Sequence, residues 1–243
     1  MSGLLDEVLA AHGGLERWQV VRALTAHGRF GGMLSSRFPG NRMASVTVRV
    51  HQAEQYVVFQ DFPAVGRRAV FDRGEVRIET AEGDVVESRR DARAAFAGFS
   101  GLRRNVRWDA LDVAYFAGYA WWNYLMTPFL LTHDGVTVTE GDSRSEGDEQ
   151  WRRLEVTFPP GMHTHSRHQT FHVDSVGLIR RHDYVAEPVG RWARAAHFCS
   201  NHRRIAGLVF PTRRRVQPRV PGGRVLRHPT LVALDIDEIE VEN

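Results

Sequence analysis

The sequence predicts a single α+β domain, 1–243, in which a large curved antiparallel sheet, a half-barrel, wraps around one buried aromatic helix. Short segments of alternating apolar and polar residues recur in both halves of the chain, and short turns separate many of them. One long apolar segment, Trp108 to Leu131, lies between the two sets of strands. Because strands and helices do not alternate regularly, the sheet is expected to be antiparallel.

The first half of the chain begins with a short helix and continues in strands. Ser2 can cap a helix that runs to about Ala11, and Gly13 and Gly14 end it. The pattern then becomes that of antiparallel hairpins. The predicted elements are a further helical turn at 15–21, strands at 23–30, 43–51, 54–60, 67–72, 75–80 and 84–88, and a brief helix from Asp91 to Phe99.

The aromatic segment from Trp108 to Leu131 is predicted to be the buried helix, with a break near Pro128, because proline disfavours helical geometry in the residue before it. Apolar residues fill most of its circumference, which is typical of a buried helix. One stripe of its surface is polar and consists of Asp112, Tyr115, Tyr119 and Asn123. This stripe either borders a small-molecule cavity or anchors the helix to the strands.

Strands resume after this helix, at 136–140, 150–158, 167–174, 177–186, 192–202, 207–216 and 231–241, with a loop rich in Pro, Gly and Arg at 217–230. The order of elements is then a helix at Leu4–Ala11, strands, helices at 91–99 and 108–131, and strands again. This order resembles the LolA-like lipoprotein-carrier family. The resemblance implies an open half-barrel whose concave face is covered by helices and holds acyl chains.

Seven of the twelve histidines lie between His163 and His202. His163 and His165 are two residues apart, so both would face the same way in an extended chain. With Gln169 and the later His197, they partly resemble the metal motifs of cupins. This second resemblance implies a zinc, iron or nickel site formed by His163, His165, Gln169 and His197. The alternative is a solvated or hydrogen-bonded cluster of histidines.

His182 and Tyr184 share one face of a predicted strand and could act as a general acid and base. They could equally be ordinary polar residues of a sheet. Cys199 shares a face with His197 and is interpreted as a buried thiol rather than a nucleophile. The candidate catalytic residues are His163, His165, His182, Tyr184, His197 and Asp112, and the candidate substrate-binding residues are Tyr115, Tyr119, Trp122, Asn123 and Met126.

The composition excludes several functions. All 32 basic residues other than histidine are arginine, so there is no lysine for pyridoxal phosphate, a Schiff base or a P-loop. No glycine-rich nucleotide motif follows a strand. The arginines are interleaved with 29 acids, so nucleic acid is not an expected partner despite a pI near 9.5. Polar residues and Pro128 within 110–131 argue against a membrane span. Acids within the first apolar run argue against a signal peptide, and a cytoplasmic protein is expected.

Two hypotheses for the function follow. The first is an enzyme that acts on a lipophilic small metabolite in a cavity between the sheet and the helix at 108–131. Its chemistry would be isomerisation, cyclisation, elimination or hydration by His and Tyr groups, or reactions of a histidine-bound metal. The alternative is a non-catalytic carrier or sensor of a hydrophobic ligand. A structural protein, in contrast, would have its aromatic helix packed solidly against the sheet.

Overall fold

The computed structural model describes residues 3–38, 43–97, 107–147 and 149–243. Its helices are α1 (Leu4–Ala11), α2 (Leu15–Gln19) and α3 (Ala110–Met126). Its strands are β1 (Ala23–Gly31), β2 (Ser45–His51), β3 (Tyr56–Gln60), β4 (Arg67–Asp72), β5 (Glu75–Thr80), β6 (Val85–Arg89), β7 (Thr137–Glu146), β8 (Glu149–Thr157), β9 (His168–Val173), β10 (Ile179–Val185), β11 (Arg194–Ile205), β12 (Leu208–Pro218) and β13 (Val232–Glu242). Short 3-10 helices occupy Met33–Arg37, Ala94–Phe96 and Phe129–Thr132.

The described strands form one 13-stranded antiparallel sheet in the order β6-β5-β4-β3-β2-β1-β13-β12-β11-β10-β9-β8-β7. The first and last strands, β1 and β13, pair with each other in the middle. The two edges are β6 and β7, which do not pair, so the curved sheet stays open as a half-barrel. Both edge strands are mostly exposed and carry charged side chains, which discourages pairing with other chains.

The concave face of the sheet is apolar because apolar residues alternate with polar ones along the strands. In β2, for example, Val46, Val48 and Val50 are buried, while Thr47 and Arg49 are half-buried on the other face. Each fully buried aliphatic or aromatic side chain contributes about 1.5–3 kcal/mol to folding. The concave face therefore supplies one side of a large core.

Helix α3 supplies the other side of this core. Every residue from Leu111 to Met126 is buried, and the helix packs against β2, β3, β4 and β5. Gly118 allows the closest approach, since a Cβ atom there would lie 2.4 Å from the Cβ of Phe71 in β4. No helix in the described part of the chain is both long and apolar enough to cross a bilayer.

The predicted fold class is confirmed, and most predicted strands match observed ones within a few residues. Two predictions of local structure are wrong. In the segment predicted as a helix from Asp91 to Phe99, the described residues 91–97 contain only the 3-10 turn Ala94–Phe96, which is too short to recover the entropic cost of helix nucleation. Phe99 lies outside the described residues. The strand predicted at 136–140 continues to Glu146 as β7. An irregularity in the pairing between Gly141 and Arg144 accommodates the residues that were expected to end it.

Ser2 also lies outside the described residues, and the N-cap of α1 is Gly3. The aromatic helix ends at Met126, just before the predicted break at Pro128, and the chain continues as the 3-10 helix Phe129–Thr132. Proline therefore separates the two helical segments, as its effect on the preceding residue predicts.

We expect Gly118→Ala to lower the free energy of unfolding by about 1–3 kcal/mol, because the new methyl group would overlap the side chain of Phe71. In an unobstructed helix the same substitution would stabilise the protein. Gly31→Ala in β1, where nothing lies within 4 Å of the new Cβ, is the matched control. Urea denaturation of both variants checks the prediction, and equal or higher stability of Gly118→Ala would contradict the close packing of α3 on β4.

Candidate functional site

The polar stripe of α3 faces the loop that joins β8 to β9. The hydroxyl of Tyr115 lies 3.0 Å from Nδ1 of His163, and the hydroxyl of Tyr119 lies 3.1 Å from Nδ1 of His165. The side-chain amide of Asn123 donates to the carbonyl of His163 at 3.0 Å. The HxH pair and the stripe, both predicted from sequence, are thus brought together. In this structure they anchor the helix to the loop.

The same loop is also held by two residues that sequence reasoning did not identify. Gln55 accepts a hydrogen bond from the backbone N–H of His163 and donates one to its carbonyl, both at 2.8 Å. Arg93 donates to the carbonyl of Thr164 at 2.9 Å and to Glu187 at 2.8 Å. The loop therefore connects α3, both halves of the sheet and the turn between β10 and β11.

A layer of histidine and tyrosine rings lies between α3 and the C-terminal half of the sheet. His165 stacks on Tyr184, with ring centroids 4.0 Å apart, and its Nε2 lies 3.3 Å from the hydroxyl of Tyr124. Tyr124 also packs edge-on against His197, with centroids 4.7 Å apart. His182 lies beside both Tyr184 and His197. Four of the six predicted catalytic residues (His165, His182, Tyr184 and His197) therefore form one buried cluster.

Burial keeps these groups uncharged. Desolvation lowers the pKa of His165 and His197 well below the ordinary histidine value and lowers the pKa of His182 to about 3. It raises the pKa of Tyr124 to about 12 and that of Tyr184 well above its usual value. A histidine with so low a pKa is a weak base at neutral pH, so this layer is better described as a neutral polar lining than as an acid–base couple.

The remaining predicted site residues have structural contacts. Asp112 lies at the start of α3, where it exchanges capping hydrogen bonds with Asp109 and accepts one from Arg89 at 2.7 Å. Trp122 donates its indole N–H to a carbonyl of β2 at 3.0 Å. Met126 is fully buried in the core. The structure does not place Asp112 in the histidine cluster.

The residues predicted to bind a metal interact with protein groups. Gln169 accepts a hydrogen bond from Nε2 of His182 and donates to the carbonyl of Ser166 at 2.6 Å. His163 and His165 lie in a loop and not in a strand, and both direct Nδ1 at tyrosine hydroxyls. Within residues 3–38, 43–97, 107–147 and 149–243, no group of three or more His, Cys, Asp or Glu side chains is arranged to hold a metal ion. The metal hypothesis and the cupin resemblance gain no support.

The space beside Tyr119 is filled by rings in the described part of the chain. Tyr115, Phe116 and His165 all lie with ring centroids 5.1–5.3 Å from that of Tyr119. Two pockets that the described residues form, of about 240 and 640 Å³, are lined mainly by polar residues of the convex face, and no residue of α3 lines either one. Neither of these two pockets is the cavity that the sequence predicted between helix and sheet.

Sequence reasoning also missed Arg214. Its side chain is buried on the concave face, where it donates to the carbonyl of Tyr124 in α3 at 2.6 Å and lies over the Tyr124 ring. The run from Arg213 to Arg215 in a predicted strand indicated that the middle arginine faces away from its neighbours. The alternation of side chains along a strand does not indicate which of the two faces is the inner one.

Comparison with solved structures identifies the fold. No family profile matches the chain, and no curated protein matches it by sequence. A LolA superfamily protein from Nitrosomonas europaea superposes with a TM-score of 0.54 at 14% identity, covering 98% of this chain and 92% of that one. A DUF1329 family protein from Desulfovibrio piger gives 0.52 at 15% identity, covering 98% and 91%. A putative outer membrane lipoprotein-sorting protein domain from Vibrio parahaemolyticus gives 0.52 at 8% identity, covering 98% and 90%. The fold is therefore LolA-like, as its order of elements predicted.

The prediction of a cytoplasmic protein is contradicted by the solved structures that share the fold, which include a putative outer membrane lipoprotein-sorting protein domain. The prediction depended on acids in the first apolar run. In the structure that run is α1, with Leu4 and Val8 buried and Glu7 paired with Arg152 of β8. Its acids therefore reflect the surface of a packed helix and carry no information about location.

We expect acid to destabilise the protein through its buried histidines. The unfolded chain takes up protons below the ordinary histidine pKa of 6.5, whereas folded His182 stays neutral down to about 3, so protonation in this range favours unfolding. Each such histidine lowers the free energy of unfolding by up to about 1.4 kcal/mol per pH unit in that range. The contribution of these neutral histidines to the free energy of unfolding has its full value above about pH 7 and decreases as the pH falls.

Urea denaturation between about pH 7 and pH 4 measures this slope. His182→Gln, which keeps an amide N–H for Gln169, should make the slope shallower by about 1 kcal/mol per pH unit. His228→Gln, at an exposed position, is the matched control and should leave the slope unchanged. An identical slope in the wild type and His182→Gln would show that His182 is not held neutral by the folded protein.

Proposed function

We propose that this protein, which has the LolA-like fold, is a non-catalytic carrier that binds a hydrophobic molecule between α3 and the concave face of its sheet. The observation that carries the proposal is the construction of the core. A broad apolar sheet face is covered by a separate aromatic helix, and side-chain hydrogen bonds, not backbone pairing, attach that helix to the β8–β9 loop. Such a layer can move away from the sheet without breaking the sheet itself.

The shared fold supports this proposal independently. The solved structures with the same fold include a putative outer membrane lipoprotein-sorting protein domain, and lipoprotein sorting involves a hydrophobic cargo. These matches are 8–15% identical to this chain and show its fold alone. Its concave face is lined by valines, phenylalanines and neutral rings, which suit an apolar chain better than a charged metabolite.

The enzyme hypothesis has no comparable support. Four of its candidate groups, His165, His182, Tyr184 and His197, are buried in the ring layer, where desolvation lowers the pKa of the three histidines. A ligand that entered would have to displace the ring layer, including His165 and Tyr119. Moving α3 away from the sheet breaks a few hydrogen bonds, each with a net value of about 1 kcal/mol, and also removes packing contacts of α3. Binding of an apolar chain would offset this cost by burying its own surface.

The proposal predicts that weakening the attachment of α3 tightens ligand binding. Tyr119→Phe removes the hydroxyl that bonds His165, which destabilises the closed arrangement and leaves the open one unchanged. We expect the uncharged dye N-phenylnaphthylamine, followed by its fluorescence, to bind wild-type protein and to bind Tyr119→Phe about fivefold more tightly. The free energy of unfolding of this variant should fall by about 1–2 kcal/mol.

Tyr56→Phe is the matched control for this experiment. Tyr56 is half-buried in β3, and its hydroxyl makes no hydrogen bond to another described residue, so its loss should leave dye affinity unchanged. Failure of the dye to bind wild-type protein would contradict the carrier function. Equal affinities of Tyr119→Phe and Tyr56→Phe would contradict binding beneath α3.

A further inference from the structure

Arg214 is a buried cation whose hydrogen-bond partners among the described residues are all uncharged. Its side chain donates to the carbonyl of Tyr124 at 2.6 Å, to the sulfur of Cys199 at 3.4 Å and to Nε2 of His197 at 3.5 Å. The carbonyl belongs to the last turn of α3, where the helix dipole provides about half a negative charge. The guanidinium is therefore only partly neutralised.

Two other arginines of the sheet, one buried and one half-buried, are paired with carboxylates. Arg181, fully buried on the convex face, donates to both oxygens of Asp183 at 2.7 and 2.9 Å. Arg215, the sequence neighbour of Arg214 on the convex face, donates to both oxygens of Asp235 at 2.9 and 2.7 Å. A buried charge without a full counter-charge costs several kcal/mol. Arg214 differs from these arginines in facing the proposed ligand site.

One N–H group of Arg214 and one of His197 have no acceptor among the described residues. A guanidinium can only donate, so Nε2 of His197 is the acceptor of the bond with Arg214, and the proton of this neutral imidazole is on Nδ1. Nδ1 of His197 is buried and has no partner among the described residues, and the same is true of Nε of Arg214. A negatively charged acceptor would satisfy this cation and these two donors.

We propose that Arg214 and His197 receive the anionic oxygen head group of the hydrophobic ligand, a carboxylate or a phosphate ester, while its apolar chain lies along the concave face. This inference rests on the proposed carrier function and specifies the ligand class. Arg214 lies opposite Leu234 of β13, and Tyr124 of α3 covers it from above. A head group placed there would have the apolar inner face of the sheet beside it for its chain.

The test is displacement of N-phenylnaphthylamine by three ligands with the same twelve-carbon chain: dodecanoate, dodecyl phosphate and uncharged dodecanol. At about pH 8 we expect at least one of the two anions to displace the dye from wild-type protein at a roughly 30-fold lower concentration than dodecanol, as expected for a buried charge pair. The better anion identifies the head group as a carboxylate or a phosphate. Arg214→Gln should abolish the preference for the anion.

Arg215→Gln is the matched control, since it removes the same charge from the adjacent residue on the convex face. It should keep the full preference. If Arg214→Gln does not fold, Arg214→Lys retains the charge without the guanidinium fork and should keep part of the preference. Circular dichroism and the affinity for dodecanol establish that each variant is intact.

The outcomes separate the two proposals. If dodecanol and both anions displace the dye equally, the carrier function stands and the anion site is refuted, since buried water would then satisfy the two donors. If the preference for an anion survives in Arg214→Gln, the head group binds elsewhere and the assignment to Arg214 is wrong. If neither the dye nor dodecanol binds, the carrier function itself fails.

Discussion

The connection between β6 and β7, the opposite edges of the sheet, contains α3, which crosses the concave face from β2–β5 to Arg214 of β12. A helix over the concave face must bury an apolar surface against the sheet on one side. On its other side it must pack against a further layer of residues. The aromatic helix α3 meets this requirement, with all residues from Leu111 to Met126 buried. The position of the helix, the closed interior and the proposed binding site all depend on this crossing.

Polar groups determine how firmly the crossing helix is held. Tyr115, Tyr119 and Asn123 bind the β8–β9 loop, and Arg214 binds the last turn of the helix. These interactions are specific but few, whereas strands of the sheet share continuous backbone ladders. Since local openings involve the elements with the fewest such bonds, α3 and the loop are the natural moving parts. A carrier needs this division between a rigid sheet and a separable cover.

The sequence was sufficient to predict the fold because alternation and a single aromatic segment are strong signals. The sequence also indicated that the polar stripe with Tyr115 and Tyr119 belongs to the candidate functional site. It could not assign partners, because the bond that His182 donates to Gln169 depends on the register between strands. The contacts of Arg214 with uncharged groups depend on which face of the sheet is inner. Asp112 makes helix-capping hydrogen bonds in the structure, and the sequence alone does not distinguish a capping carboxylate from a catalytic one.

The carrier function depends most directly on where an apolar chain binds. A crystal structure with ω-bromododecanoate would locate it, because the anomalous signal of bromine marks the end of the chain. We expect the bromine between α3 and the concave face, with the ring layer of His165 and Tyr184 displaced and the carboxylate near Arg214. A bromine on the convex face, with α3 and its ring layer unmoved, would contradict the proposal that this protein carries its ligand inside the half-barrel.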